Sequence, residues 1–282
     1  MTIDCEHVAR TIVIGIKSKT DVAIIGMSGG ADSTLVAILC KEALGAGNVF
    51  AVHMPYGETD ERTFNLVSKK IANVLGVEQI TVPIAKISDG ISDCVLESLM
   101  KYNENLFESE KSIGIVNNAN SRSRSRMCVL YGICHFLQSC SDKRVRVIGT
   151  GNFSEDYIGY GTKGGDTLAD LFPIGDMFKS EVYQLLDYYR DAGLIDEEHI
   201  DRVPSAGLWE GQTDEMEIGY SYNEMEKAIR LIDKWEQWDE GSGITDKLAE
   251  VNPVADFVLK MRDASRHKKG SPEVICLRRN DN

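Results

Sequence analysis

With 282 residues, 43% of them hydrophobic, the chain is long enough to bury one large core, and its formal net charge of −13 argues against nonspecific nucleic-acid binding, which depends on phosphate contacts. No run approaches the roughly 18 apolar residues of a membrane-spanning helix. The first residues are acidic and lack the basic segment and cleavage site of a signal peptide, so a cytoplasmic protein is expected. In chain order, Val8, Ile12, Val13 and Ile16 predict an amphipathic N-terminal helix. An apolar run, VAIIG (22–26), then stops at the turn MSGGADS. Helical spacing follows over 33–44, with Leu35, Val36, Ile38, Leu39 and Leu44.

Further strand-like runs are VFAVHM (49–54), QITVPI (79–84) and VRVIG (145–149), each bounded by Gly, Pro or charge. Between them lie helical patterns at 61–75, with Phe64, Val67, Ile71, Val74 and Leu75, and at 125–140, with Met127, Leu130, Ile133 and Leu137. Short buried-type strands alternating with helices predict an α/β fold, a doubly wound, mostly parallel, Rossmann-like sheet. From about residue 176 no strand pattern is clear. Helices over 179–190, 223–238 and 252–264, with a loop at 240–245, predict a helical C-terminal elaboration of one domain spanning 1–282. Ile229, Ile232, Trp235 and Trp238 form a stripe suited to core or subunit packing rather than base stacking. Seven cysteines without a CxxC pair predict scattered, reduced core thiols.

The turn after the first strand carries chemistry. Strand, glycine-rich turn and helix together present backbone N–H groups and a positive helix end to an anion. The loop is not GxxxxGK[ST], because no lysine lies between Gly26 and Leu39, and no GxGxxG occurs in the chain. Local rules also allow Ser28 as a plain N-cap and Asp32 as a first-turn charge. Three basic clusters, at 122–126, 143–146 and 266–269, could meet an anionic small molecule.

The string SGGADS (28–33) resembles the pyrophosphate loop of the N-type ATP pyrophosphatases, which have an adenine-nucleotide alpha hydrolase-like fold. The stretches 149–185 and 204–229, with PYG (55–57) and RHKKGSP (266–272), narrow the resemblance to ammonia-dependent NAD synthetases over nearly the whole chain. That resemblance implies a carbon–nitrogen ligase for the last step of NAD biosynthesis. The nicotinate carboxylate of deamido-NAD would attack the α-phosphorus of ATP, pyrophosphate would leave, and ammonia would displace AMP from the mixed anhydride. No side-chain nucleophile is needed; holding two anions together and neutralising developing charge suffices.

By the same resemblance, Gly26, Ser28, Gly29, Gly30, Asp32, Ser33, Thr150, Lys179 and Ser205 bind ATP. Asp32 and Lys179 carry catalysis, and Asp32 and Glu155 hold Mg²⁺. Asn120, Arg124, Lys163, Asp166, Asp170, His267 and Lys268 bind deamido-NAD. A homodimer is implied as well. Only 21 residues precede the first strand, so no glutaminase domain is expected before the loop, and free or separately supplied ammonia is the expected nitrogen source.

Two departures from the family pattern stand out. GDTLAD (165–170) has Thr167 and Leu168 where glycines are usual, and SRSRSRM (121–127) has Ser123 where alanine is usual. On a helix Arg122 and Arg126 share a face and Arg124 points away, whereas in an extended lead-in all three align. Arg124 is expected at that junction, against the substrate. A tRNA-modifying or sulfur-transferring relative should carry a catalytic cysteine pair or an RNA-binding domain, and neither is found. A non-catalytic descendant should have lost metal or phosphate groups, yet Asp32, Glu155 and Lys179 are present.

Overall fold

Four strands, β1 (Val22–Gly26), β2 (Val49–His53), β3 (Glu78–Thr81) and β4 (Val145–Ile148), form one parallel sheet in the order β3-β2-β1-β4. The computed structural model describes residues 2–57, 65–102, 119–197, 213–237 and 244–270. Ala23 of β1 lies between Val49 of β2 and Arg146 of β4. Leu171 adds one parallel bridge to Ile148 at the outer edge. The order reverses between β1 and β4, and in such sheets the crevice beyond the strand C-termini at the switch point is where ligands sit.

The alternation of side chains divides the core. Ala23 and Ile25, Val49 and Ala51, and Ile148 face helices α1 (Cys5–Lys19), α2 (Ala31–Leu44) and α3 (Asn65–Leu75). Val22 and Ile24, Val52, Val145 and Val147 face the other way, toward Met127, Leu130 and Cys134. Burial on both faces explains why the strands read as near-continuous apolar runs rather than alternating ones. After β3 the described residues form α4 (Ala85–Tyr102) and α5 (Ala119–Ser139), and α5 covers the second face.

Beyond β4 come α6 (Phe153–Ile158), α7 (Lys179–Asp191), α8 (Asp214–Ile218), α9 (Tyr222–Glu236), α10 (Ile244–Val251) and α11 (Pro253–Ala264). A 3₁₀ turn, Arg266–Lys268, follows α11. Helix α7 rejoins the first core through Val182, Leu185 and Leu186. Helices α6 and α8–α11 build a third apolar cluster around Met225, Ile229, Ile232 and Val258, against which Trp235 packs.

The α/β class and the strand sites hold, with corrections. The third strand stops at Thr81, short of residue 84, because Pro83 has no N–H; Val82 and Ile84 instead donate to His53 and Pro55 at 2.8 Å each. Helix α5 starts at Ala119, six residues before the predicted 125. Helix α10 begins inside the stretch read as a loop. Helix α4 is absent from the sequence reading, and its burial is inverted: Ser88 and Ser92 face inward while Ile87, Ile91, Val95 and Leu99 are exposed. Among the described residues the thiols are free, but only Cys40 and Cys134 are core residues; Cys94, Cys128 and Cys140 are exposed. Phe64, Ser205 and Trp238 lie outside the described residues.

Candidate active site

The loop between β1 and α2 is shaped by its glycines. Gly29 has φ +77°, and an added Cβ there would meet the Ser68 backbone at 3.2 Å. Gly30 is the N-cap of α2 and brings no side chain to cap the helix. The first-turn N–H groups of α2 therefore point toward the crevice without a side-chain cap, as an anion requires. Ser28 Oγ accepts from Gly30 N at 3.2 Å and lies 3.1 Å from Ser33 Oγ, so the two hydroxyls line one rim. Ser28 is thus not the N-cap.

Asp32, in the first turn of α2, meets two groups from far along the chain. Its carboxylate receives a hydrogen bond from Asn152 Nδ2 at 3.1 Å and forms an ion pair with Lys179 Nζ. Lys179 opens α7 and is buried; its ammonium also reaches Glu155 Oε1 at 3.2 Å. Asn152 caps α6 by accepting from Glu155 N at 3.1 Å, so one side chain both starts that helix and grips Asp32. Tyr222 Oη donates to Glu155 Oε1 at 3.1 Å and to Asp214 Oδ2 at 3.2 Å.

Burial pushes the Glu155 carboxyl up; the Lys179 charge opposes this and the Asp32 charge adds to it. Burial pulls Lys179 down, but Asp32 and Glu155 outweigh it and hold the ammonium protonated. Two carboxylates converging on one cation are a hard-oxygen set of the kind Mg²⁺ takes, with substrate phosphates completing the shell. Among the described residues no group of three or more His, Cys, Asp and Glu forms a protein-only metal cage.

These groups line a cavity of about 560 Å³ at the switch point, within the usual ligand-site range. Gly26, Ser28, Gly30, Asp32, Ser33, Thr150, Glu155, Lys179, Asn120, Asp166 and Lys268 all line it. Gly29 shapes the loop from behind. Four other predicted residues stand off the wall. Arg124 Nε donates to Lys163 O at 3.1 Å, and Lys163 Nζ donates to His267 O at 2.5 Å. Asp170 accepts from Val147 N at 2.8 Å and from Tyr131 Oη at 3.2 Å, bracing β4.

Because α5 starts early, the arginines lie on a helix. Arg122 stacks on Tyr56 at 3.5 Å, and Arg126, on the same face, lines the cavity and donates to Met54 O at 3.1 Å. The GDTLAD turn keeps ordinary backbone: Gly164, just before it, carries a positive φ of +75°, and among the described residues no non-glycine residue has one. Ser123 and Thr167 are hydrogen-bonded: Ser123 Oγ bonds Asp166, and Thr167 Oγ1 donates to Thr162 O at 2.8 Å.

Sequence reasoning missed Asn152, Arg126, Tyr160, Asp214, Glu217 and Tyr222. The Asn-x-x-Glu spacing at 152–155 is a capping signal that could have marked the first. Tyr160 reaches Glu217 at 2.7 Å and Asp214 at 3.4 Å across a gap of more than 50 residues, which no local pattern encodes.

The family described as NAD synthase matches residues 9–272. The chain is 33% identical over 273 residues to the NH(3)-dependent NAD(+) synthetase of Methanocaldococcus jannaschii, covering 95% of each. Its fold is similar to that of the NMN synthetase from Francisella tularensis, with TM-score 0.70, 25% identity and 99% of both chains covered. It is also similar to the NH3-dependent NAD synthetase from Campylobacter jejuni, with TM-score 0.67, 25% identity, and 97% of this chain and all of that one covered.

Proposed function

The chain belongs to the NAD synthase family, and from that premise we propose that it is an ammonia-dependent ligase that amidates deamido-NAD to NAD at the expense of ATP. The observation that carries this reading at the site is the meeting of Asp32, Glu155 and Lys179 beside an uncapped helix N-terminus at the sheet's switch point.

The first-turn amides of α2, with Ser28 and Ser33, hold the β- and γ-phosphates that depart as pyrophosphate. Lys179 lies beside them and offsets charge developing on the leaving group. Asp32 and Glu155 would hold Mg²⁺, which when bound supplies Lewis-acid neutralisation of the phosphate oxygens. Asn152 fixes the Asp32 carboxylate from below. Asn120, Asp166 and Arg126 line the same cavity and would orient the dinucleotide so that its nicotinate carboxylate faces the α-phosphorus. The carboxylate oxygen forms the new P–O bond as the bond to pyrophosphate breaks. Ammonia then adds to the acyl carbon, loses a proton, and AMP leaves.

Arg124, Lys163, Asp170 and His267, which lie outside the cavity's lining, would support the deamido-NAD side of the site through the bonds that Arg124 and Lys163 donate and those that Asp170 accepts. No described helix is long and apolar enough to cross a membrane, and we place the enzyme in the cytoplasm. The exposed apolar stripe of α4 supports a homodimer, which sedimentation at micromolar concentration would detect.

The test is direct. Purified protein is given ATP, Mg²⁺ and ammonium with deamido-NAD, and NAD and pyrophosphate are followed. Because a similar fold carries an NMN synthetase, the deamidated mononucleotide is the competing acceptor. NAD and pyrophosphate form in equal amounts with deamido-NAD; well-folded protein that yields neither would sink the reading, and a preference for the mononucleotide would reassign the acceptor.

A further inference from the structure

Resting on the synthetase reading above, we propose that Glu226 is a positioning residue for the reaction, holding Lys179 and Glu155 in place through their sequence neighbours Ser180 and Ser154. Glu226 lies on α9, is only 5% exposed, and belongs to no wall of the cavity. Its Oε1 accepts from Ser154 Oγ at 3.1 Å and from Ser180 N at 3.0 Å, and its Oε2 accepts from Ser180 Oγ at 2.5 Å. Ser154 Oγ in turn accepts from Lys179 N at 3.0 Å.

The N-cap of α7 is Phe178, whose side chain has no oxygen to cap with. Two first-turn amides of α7 are satisfied instead by Ser154 and Glu226, from two other helices. A carboxylate suits that positive helix end. A buried carboxylate is costly unless it is hydrogen-bonded, and here the bonds from Ser154 and Ser180 offset that cost. What the carboxylate does achieve is registry. It ties the start of α7, which carries Lys179, to the first turn of α6, which carries Glu155. Tyr222, one turn earlier on α9, reaches Glu155 directly.

The experiment uses the full chain and four proteins: wild type, E226Q, E226L and N252A. The last removes the N-cap of α11 in the same helical layer, where Asn252 accepts from Val254 N and Ala255 N, and serves as a stability control. In E226L, kcat falls about 10- to 100-fold, as for loss of a supporting hydrogen bond behind a ligand, while KM for deamido-NAD changes less than about twofold. Calorimetric binding of ATP with Mg²⁺ weakens in parallel. E226Q keeps an acceptor for Ser154 and Ser180 and stays within about threefold of wild type. N252A lowers Tm without moving kcat. Wild-type kcat and ATP binding in E226L, or an equal loss of kcat in N252A, overturns the role of Glu226. If E226L does not fold, S180A takes its place, with kcat lowered about 3- to 10-fold; no change there overturns the role as well. A wild type that forms no NAD defeats the synthetase reading instead, whatever the variants do.

Discussion

Lys179 is the residue on which the site turns. A lone lysine at the start of an amphipathic helix reads as a surface charge, yet here it is buried between Asp32 and Glu155. Its chemistry was legible from motif likeness, but its partners were not, since 147 residues separate it from Asp32. Replacing Asp32 with Asn keeps the shape and removes the charge. Pyrophosphate release then falls by at least about 10²-fold, with circular dichroism unchanged; wild-type release would take Asp32 out of the mechanism. The arginines separate more finely. Arg126 lines the cavity and Arg124 braces the loop. Arg126→Ala therefore raises KM for deamido-NAD about 10-fold or more, from loss of a charged contact, while Arg124→Ala changes it less than about threefold. The reverse order would restore Arg124 as the direct ligand. The SRSRSRM string could not decide between the two, because the answer depends on where α5 begins.

Among the elements, the GDTLAD turn is the clearest case of a departure that the backbone absorbs. The left-handed residue is Gly164, just before the turn, and Thr167 and Leu168 sit in conformations any residue can adopt. Thr167→Gly and Leu168→Gly should each lose about 0.5–1 kcal/mol through a looser unfolded chain, and Thr167→Gly also loses the bond to Thr162. Urea denaturation measures this, and neither change raises kcat. A stabilised glycine variant would mean that the turn is strained as it stands. Helix α4 is the opposite case. Its Ile87, Ile91, Val95 and Leu99 spacing is plainly helical, but periodicity cannot say that the serine face, not this one, turns inward.

At the scale of the molecule, the sheet's first and last strands are tied at their base by Asp21 and Arg144. Arg144 donates to Asp21 from its backbone N, Nε and Nη2 at 2.8–3.0 Å, and to Ser18 O from Nη1 at 2.7 Å. Those hydrogen bonds hold the Asp21 carboxyl well below the usual carboxylate range. A carboxyl depressed in the folded state stabilises above its unfolded pKa and loses that contribution as pH falls through the folded value. Asp21→Asn accordingly lowers Tm at neutral pH, and the gap to wild type narrows as pH drops below about 4, the ordinary aspartate range. A gap that does not change with pH would assign the effect to packing alone.

The sequence by itself determined the α/β class, the sites of the four strands, and a loop built to hold phosphate without a lysine. Those features rest on period, turn chemistry and helix ends, which are set by residues within a few positions of one another. Only the tertiary structure decided that Asp32, Asn152, Glu155, Lys179 and Tyr222 meet, that Arg126 rather than Arg124 faces the cavity, and that Glu226 braces the site from behind. Each of these depends on which elements pack together and how each is rotated about its own axis. That is fixed by the burial of whole faces across the sheet, and no local stretch of chain contains it.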